Sequence, residues 1–124
     1  MNNLLMTSIE QIIDTLIHKV RLEKGLVKIR SRFGKEYERP ERIRIKGKKK
    51  QVTPDLVIES GDRTDMYIVE LEASFEMEKW RLLSLYTRQL HGSLYIIAPV
   101  DYEALISRKL EEFKITARII PFSE

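Results

Sequence analysis

A mixed α/β sheet with helices packed on it is the architecture these 124 residues predict, and three features point there. Helical and strand periodicities follow one another in the order α-β-β-β-α-β-α-β, and helices alternating with strands toward the C-terminus build such a sheet. Residues 66–73 carry apolar side chains on both faces, as a central strand does. Residues 93–98 form a short continuous apolar run closed by Pro99, which suits a buried strand.

The elements read as follows. Residues 3–24 place Ile9, Ile12, Ile13, Leu16, Ile17 and Val20 at helical spacing, with Thr7 and Glu10 able to form a capping box and Gly25 a natural stop. Residues 26–33 alternate apolar with Lys, Arg and Ser, a strand with a basic outer face. Residues 34–40 read as loop. Residues 41–46 alternate Arg42, Arg44 and Lys46 with Ile43 and Ile45, and Gly47 with three lysines reads as a turn or arm. Strands at 51–59 and 66–73 flank the Gly61-Asp62-Arg63 turn, and a helix over 76–91 ends at Gly92. A helix over 101–113, capped by Asp101, precedes a last strand at 115–120. One domain spans 1–124, with a basic loop or hairpin arm at 34–50 within it.

Composition narrows the function. Hydrophobic residues are 43% and charged residues 33%, which suits a folded chain with a charged surface. There is no cysteine, which excludes disulfides, thiolate metal sites and a cysteine nucleophile. No apolar run reaches membrane-spanning length and the first residues lack the pattern of a signal peptide, so the expected setting is the cytoplasm or a host-cell interior, with no membrane partner. No glycine-rich phosphate loop is present, so no nucleotide cofactor is expected. His18 and His91 are too far apart in the sequence pattern to read as a metal site, and Trp80, Tyr86 and Tyr95 read as core.

Charge is unevenly placed. Residues 19–50 hold 14 Lys or Arg against 4 Asp or Glu, whereas residues 51–78 hold 1 against 8. Lys28, Arg30, Arg32, Arg42, Arg44, Lys46, Lys48, Lys49 and Lys50 could track phosphates along a nucleic acid, or else protect an edge strand from aggregation. In the acidic segment, strand alternation puts Asp55 with Val57 and Glu59, and Glu70 and Glu72 with Met66 and Ile68. Carboxylates beside an apolar surface need neutralising, and hard oxygen donors select Mg²⁺ or Mn²⁺. The alternative is a solvated edge on which these acids pair with arginines.

Pro54-Asp55-Leu56-Val57-Ile58, a hairpin, Tyr67-Ile68-Val69-Glu70-Leu71-Glu72, then a helix and a strand together resemble the PD-(D/E)XK nuclease superfamily, most closely the small archaeal Holliday-junction resolvase type, over residues of about 8–98. The resemblance implies a restriction-endonuclease-like core, a central mixed β-sheet flanked by helices. It implies an endonuclease that hydrolyses DNA with Mg²⁺ or Mn²⁺, acts on branched or junction structures and works as a homodimer. Asp55 and Glu70 would bind the metal, with the Leu71 carbonyl a further ligand. The family's lysine falls at Glu72. Glu72 could add a metal ligand, Lys79 on the next helix could replace the lysine, or the site could be inactive, leaving a nucleic-acid-binding module. A family glutamate on the first helix would correspond to Glu10, with Glu23 a weaker rival. A protein-interaction module whose basic arm binds an acidic partner is the remaining class.

Overall fold

The computed structural model describes residues 2–44 and 51–123, with side chains described from Ile9 onward. Helix α1 (Asn2–Lys24) opens the chain. Ile13, Ile17 and Val20 are buried, and Ile9, Ile12 and Leu16 pack beside them, so the apolar stripe covers the sheet as its periodicity requires. The helix begins well before Thr7, so the expected Thr7–Glu10 capping box does not stand at its start. Leu4, Leu5 and Met6 are good helix formers and carry the helix past that point. At the other end Gly25 adopts φ 74° and donates its N–H to the Arg21 carbonyl at 2.9 Å, the left-handed stop that glycine takes without strain.

Among the described residues seven strands follow: β1 (Lys28–Ser31), β2 (Ile43–Arg44), β3 (Gln51–Val52), β4 (Leu56–Ser60), β5 (Arg63–Val69), β6 (Leu94–Pro99) and β7 (Arg118–Phe122). Helix α2 (Met77–Gln89) joins β5 to β6, and α3 (Glu103–Glu112) joins β6 to β7. One sheet has the order β1-β4-β5-β6-β7, antiparallel through β5 and parallel from β5 to β7. The architecture is therefore α/β, with a mixed five-stranded sheet flanked by helices. Alternation sends Leu56, Ile58, Tyr67 and Ile97 toward α1, and Val57, Met66, Ile68 and Ile96 toward α2 and α3. Ile68 and Ile96 are fully buried, as the two-faced apolar pattern of the central strands predicts.

Several boundaries differ from the sequence reading. The strand expected over 51–59 is two strands. Pro54 has no N–H to give a ladder, and the chain bends at Asp55 before β4 begins. The strand expected over 66–73 ends at Val69, and Glu72 lies in the bend beyond it. The third helix is preceded by a 3₁₀ turn, Val100–Tyr102, so Asp101 sits in that turn and does not cap α3. Strands β2 and β3 form a separate antiparallel ribbon whose Ile43 and Val52 are buried in the cluster around Trp80 and Leu83. The arm read at 34–50 is thus tied to the body through Ile43. Its Lys46, Lys48, Lys49 and Lys50 lie outside the described residues. No helix among the described residues is long and apolar enough to cross a membrane.

Gly92 closes the α2–β6 connection. Its N–H bonds the Thr87 carbonyl at 2.8 Å, and the Thr64 carbonyl sits where a β-carbon would be. Gly92→Ala is therefore expected to cost about 3 kcal/mol, the upper end for overpacking. Gly25→Ala faces open space and pays only the left-handed backbone penalty, about 1 kcal/mol. Urea midpoints of the two variants check the difference, and equal midpoints would contradict it.

Candidate functional site

The β4–β5 hairpin creates the site. Gly61 at φ 64° takes the first central position of a two-residue turn, and Ser60 pairs with Arg63. The resulting register sets Leu56 opposite Tyr67, which brings the residue before Leu56 beside those after Tyr67. Asp55 and Glu70, 15 positions apart in sequence, come to the same end of the hairpin, where the charge of Asp55 is felt by Glu70.

Asp55 is pinned through both backbone and side chain. Its N–H donates to the Tyr67 carbonyl at 3.0 Å, and its carbonyl accepts the Arg32 N–H at 3.1 Å. Its carboxylate is nine-tenths buried, accepts the Val69 N–H on Oδ2 at 2.8 Å, and accepts Nη1 of Arg32 on Oδ1 at 3.0 Å. Glu70 follows β5 directly, anchored by its N–H on the Ile97 carbonyl at 2.8 Å. Burial pushes its carboxyl up to about 7. The Lys79 ammonium opposes that shift, while the negative charges of Asp55 and Glu76 add to it. The Trp80 indole N–H is buried without a hydrogen bond of regular geometry, yet it lies near enough to Glu70 to favour the ionised form. Trp80 is core, as expected, and it also supplies a polar edge to the site.

Beside this pair lies a groove of about 580 Å³ whose lining includes Arg32, Arg39, Arg42, Thr53, Glu76 and Lys79. Arg39 is held by donating to the Ser31 carbonyl at 2.8 Å. Arg39 falls in the segment 34–40 that the sequence predicts as loop. Nothing in a run of so many cations ranks one above another, and only the fold shows which of them line one groove.

The basic residues separate into groups. Lys28 pairs with Glu59 at 3.9 Å, and Arg30 pairs with Glu38 at 3.8 Å and Glu59 at 3.9 Å. Arg32 and Arg42 line the groove, and Arg44 is exposed on β2. Among the acids, Glu72 is exposed, and the Leu71 side chain lines an apolar groove next to Ile97 and Phe122. Glu10 is exposed on α1 and lines a different cavity, of about 240 Å³, with Asp14, Phe33 and Tyr37. Among the described residues, no three of His, Cys, Asp and Glu gather closely enough to hold a metal by themselves. Two oxygen-donor side chains nevertheless fit one metal class. Mg²⁺ commonly takes one or two carboxylates and completes its shell with water and substrate phosphate. Comparison of the chain with family models, curated proteins and solved structures finds no match.

The perturbed Glu70 has a consequence for stability. Its carboxyl titrates near 4.5 when unfolded and near 7 when folded. Between those values the unfolded chain ionises first while the folded chain keeps its proton, so stability falls as pH rises through the window. The penalty is absent below the lower value and complete above the upper one. In metal-free buffer, Glu70→Gln is expected to match the wild type near pH 4 and to be the more stable protein at pH 8. Urea melts across that range measure it, and a wild type that stays level with the variant throughout would show the opposite.

Proposed function

We propose that the chain is a metal-dependent endonuclease that hydrolyses DNA phosphodiester bonds, with the core arrangement of the PD-(D/E)XK superfamily. The observation that carries this reading is the meeting of Asp55 and Glu70 at the end of the β4–β5 hairpin, with Lys79 and a cationic groove alongside. The order of elements around the five-stranded sheet supports it: α1, then β1, β4 and β5 antiparallel with the β2–β3 ribbon between β1 and β4, then α2 and the parallel strand β6, with the acidic pair at the strand ends.

Asp55 and Glu70 would hold Mg²⁺ or Mn²⁺. Such an ion, when bound, lowers the pKa of a water and stabilises charge building on the phosphate. Arg32, Arg39 and Arg42 bind backbone phosphates, which gives affinity without sequence readout. Lys79 sits on the first turn of α2 with its charge felt by Glu70, so it is the cation available to orient a nucleophilic water in place of the lysine that Glu72 replaces. Glu72, exposed at a bend, is open to a ligand or substrate role only when DNA is present. A pair of such chains, one for each strand, is the assembly this reading expects.

A second reading has its own observation. Asp55 is already neutralised by Arg32 at 3.0 Å, as in a module that keeps the fold and binds nucleic acid without cutting it.

Labelled junction, flap, duplex and single-stranded DNA, incubated with Mg²⁺, Mn²⁺ or EDTA, separate the two. Metal-dependent cutting is expected, highest on branched DNA. Asp55→Asn, which retains the acceptor for the Val69 N–H, is expected to fall to the EDTA background. Lys79→Met is expected to lose roughly 100-fold in rate or more. Salt-sensitive binding with no cutting on any substrate would assign the module instead.

A further inference from the structure

The buried carboxylate of Asp55 accepts the Val69 N–H on Oδ2 and a single nitrogen of Arg32 on Oδ1, which leaves each oxygen a further lone pair. Arg32 is half exposed at the rim, between that carboxylate and the cationic groove. A cation entering at Asp55 would set two positive groups against one carboxylate. The Arg32 guanidinium can relieve this by turning into the groove, but Arg39, Arg42 and Lys79 already outnumber the one acid there, Glu76. An oxyanion in the groove removes that obstacle. Arg39 stays in place throughout, since its own bond runs to the Ser31 carbonyl.

We infer that Arg32 couples two sites, a phosphate subsite in the Arg32–Arg39–Arg42–Lys79 groove and the divalent-cation site of Asp55 and Glu70, by moving from Asp55 to the phosphate as the cation binds. This rests on the metal reading of Asp55 and Glu70 and adds the order of events at that site. The free chain holds a cation weakly because Arg32 occupies the place. Phosphate binding strengthens the cation, and by thermodynamic reciprocity the cation strengthens phosphate binding to the same degree. Arg32 is in this sense a positioning residue.

The test is Mn²⁺ affinity, followed by loss of the free-ion EPR signal, in chloride and in sulfate at matched ionic strength. Sulfate serves as the tetrahedral dianion. The wild type is expected to bind Mn²⁺ at least roughly fivefold more tightly in sulfate, the lower bound of ordinary site-to-site coupling. Arg32→Gln is expected to bind it as tightly in chloride as the wild type does in sulfate, and to ignore the change of anion. Arg42→Gln removes a groove cation that is off Asp55, so it is expected to blunt the sulfate effect without tightening Mn²⁺ in chloride. Arg32→Lys, with charge retained and reach shortened, is expected to fall between the wild type and Arg32→Gln, and thermal melts establish that each variant is folded. A wild type indifferent to the anion, an Arg32→Gln no tighter than the wild type, or an Arg42→Gln that tightens Mn²⁺ equally would each overturn the coupling while leaving the metal site standing. Absence of Mn²⁺ binding in the wild type and every variant, under both anions, would remove the metal reading and the coupling with it.

Discussion

Asp55 is the tie on which the end of the sheet that carries the carboxylates depends. Through its backbone and carboxylate it bonds Arg32 beyond β1 and both Tyr67 and Val69 of β5. A buried carboxylate is costly without partners, and here the partners belong to two segments of chain separate from its own. The requirement to satisfy Asp55 therefore holds those segments in register. It also holds Glu70 one residue past the last of them. An isosteric amide could keep the Val69 bond but would leave the guanidinium of Arg32 without its anion, so structure and charge at this position are separable in principle.

Glu70 shows the reverse balance. It is half buried and, among the described residues, has no ion pair of the closeness that Arg32 makes with Asp55. Lys79 stabilises its charge, and burial with two neighbouring acids works against it. A folded chain that keeps such a group accepts a stability penalty near neutral pH. A bound cation would turn that penalty into an attraction, since the carboxylate is held in place and poorly solvated before the ligand arrives. The charge of the incompletely committed carboxylate is felt by the uncomfortable one, and Arg32, paired with Asp55, and Lys79, whose charge reaches Glu70, line one groove together with Arg39 and Arg42.

Much of this fold could be read from the residues in order. The 3.6 period of α1 and α2, the two-faced apolar strands and the Gly61 turn depend on local pattern, and the structure follows them. The breaks were less legible. Pro54 ends one strand pairing and lets another begin, yet in sequence the run from Gln51 to Glu59 looks continuous. Glu72 alternates correctly with Glu70, but the chain leaves the sheet at Val69 and the alternation stops having meaning there. Charge was the least legible. Lys28 and Arg30 differ from Arg32 only by position in the list, and their pairing with Glu59 follows from the β1–β4 register, which sets Lys28 opposite Glu59. Which basic residues are spent within the protein and which remain for a ligand is a property of strand register, and no local pattern carries it.

The two buried aspartates of the hairpin differ in how completely the fold satisfies them. Asp65, near the start of β5, is fully enclosed. Both of its oxygens accept Nε of Arg63, at 3.0 and 2.9 Å. It also accepts the Ser93 N–H at 2.8 Å and has Lys24 at 3.8 Å. Arg63 is in turn drawn upward in pKa, first by its hydrogen bond to Asp65 and against its own burial. That cluster has its charge and its lone pairs satisfied from within, so an incoming cation would have to break more than it could replace. Asp55 has one backbone N–H and one nitrogen of a half-exposed arginine, and its neighbour Glu70 has less. The same residue type is used in two ways on one hairpin. The difference lies in how firmly the partner is held: Arg63 is fixed between Asp65, Ser93 and Tyr95, whereas Arg32 stands at the rim of a groove with somewhere else to go.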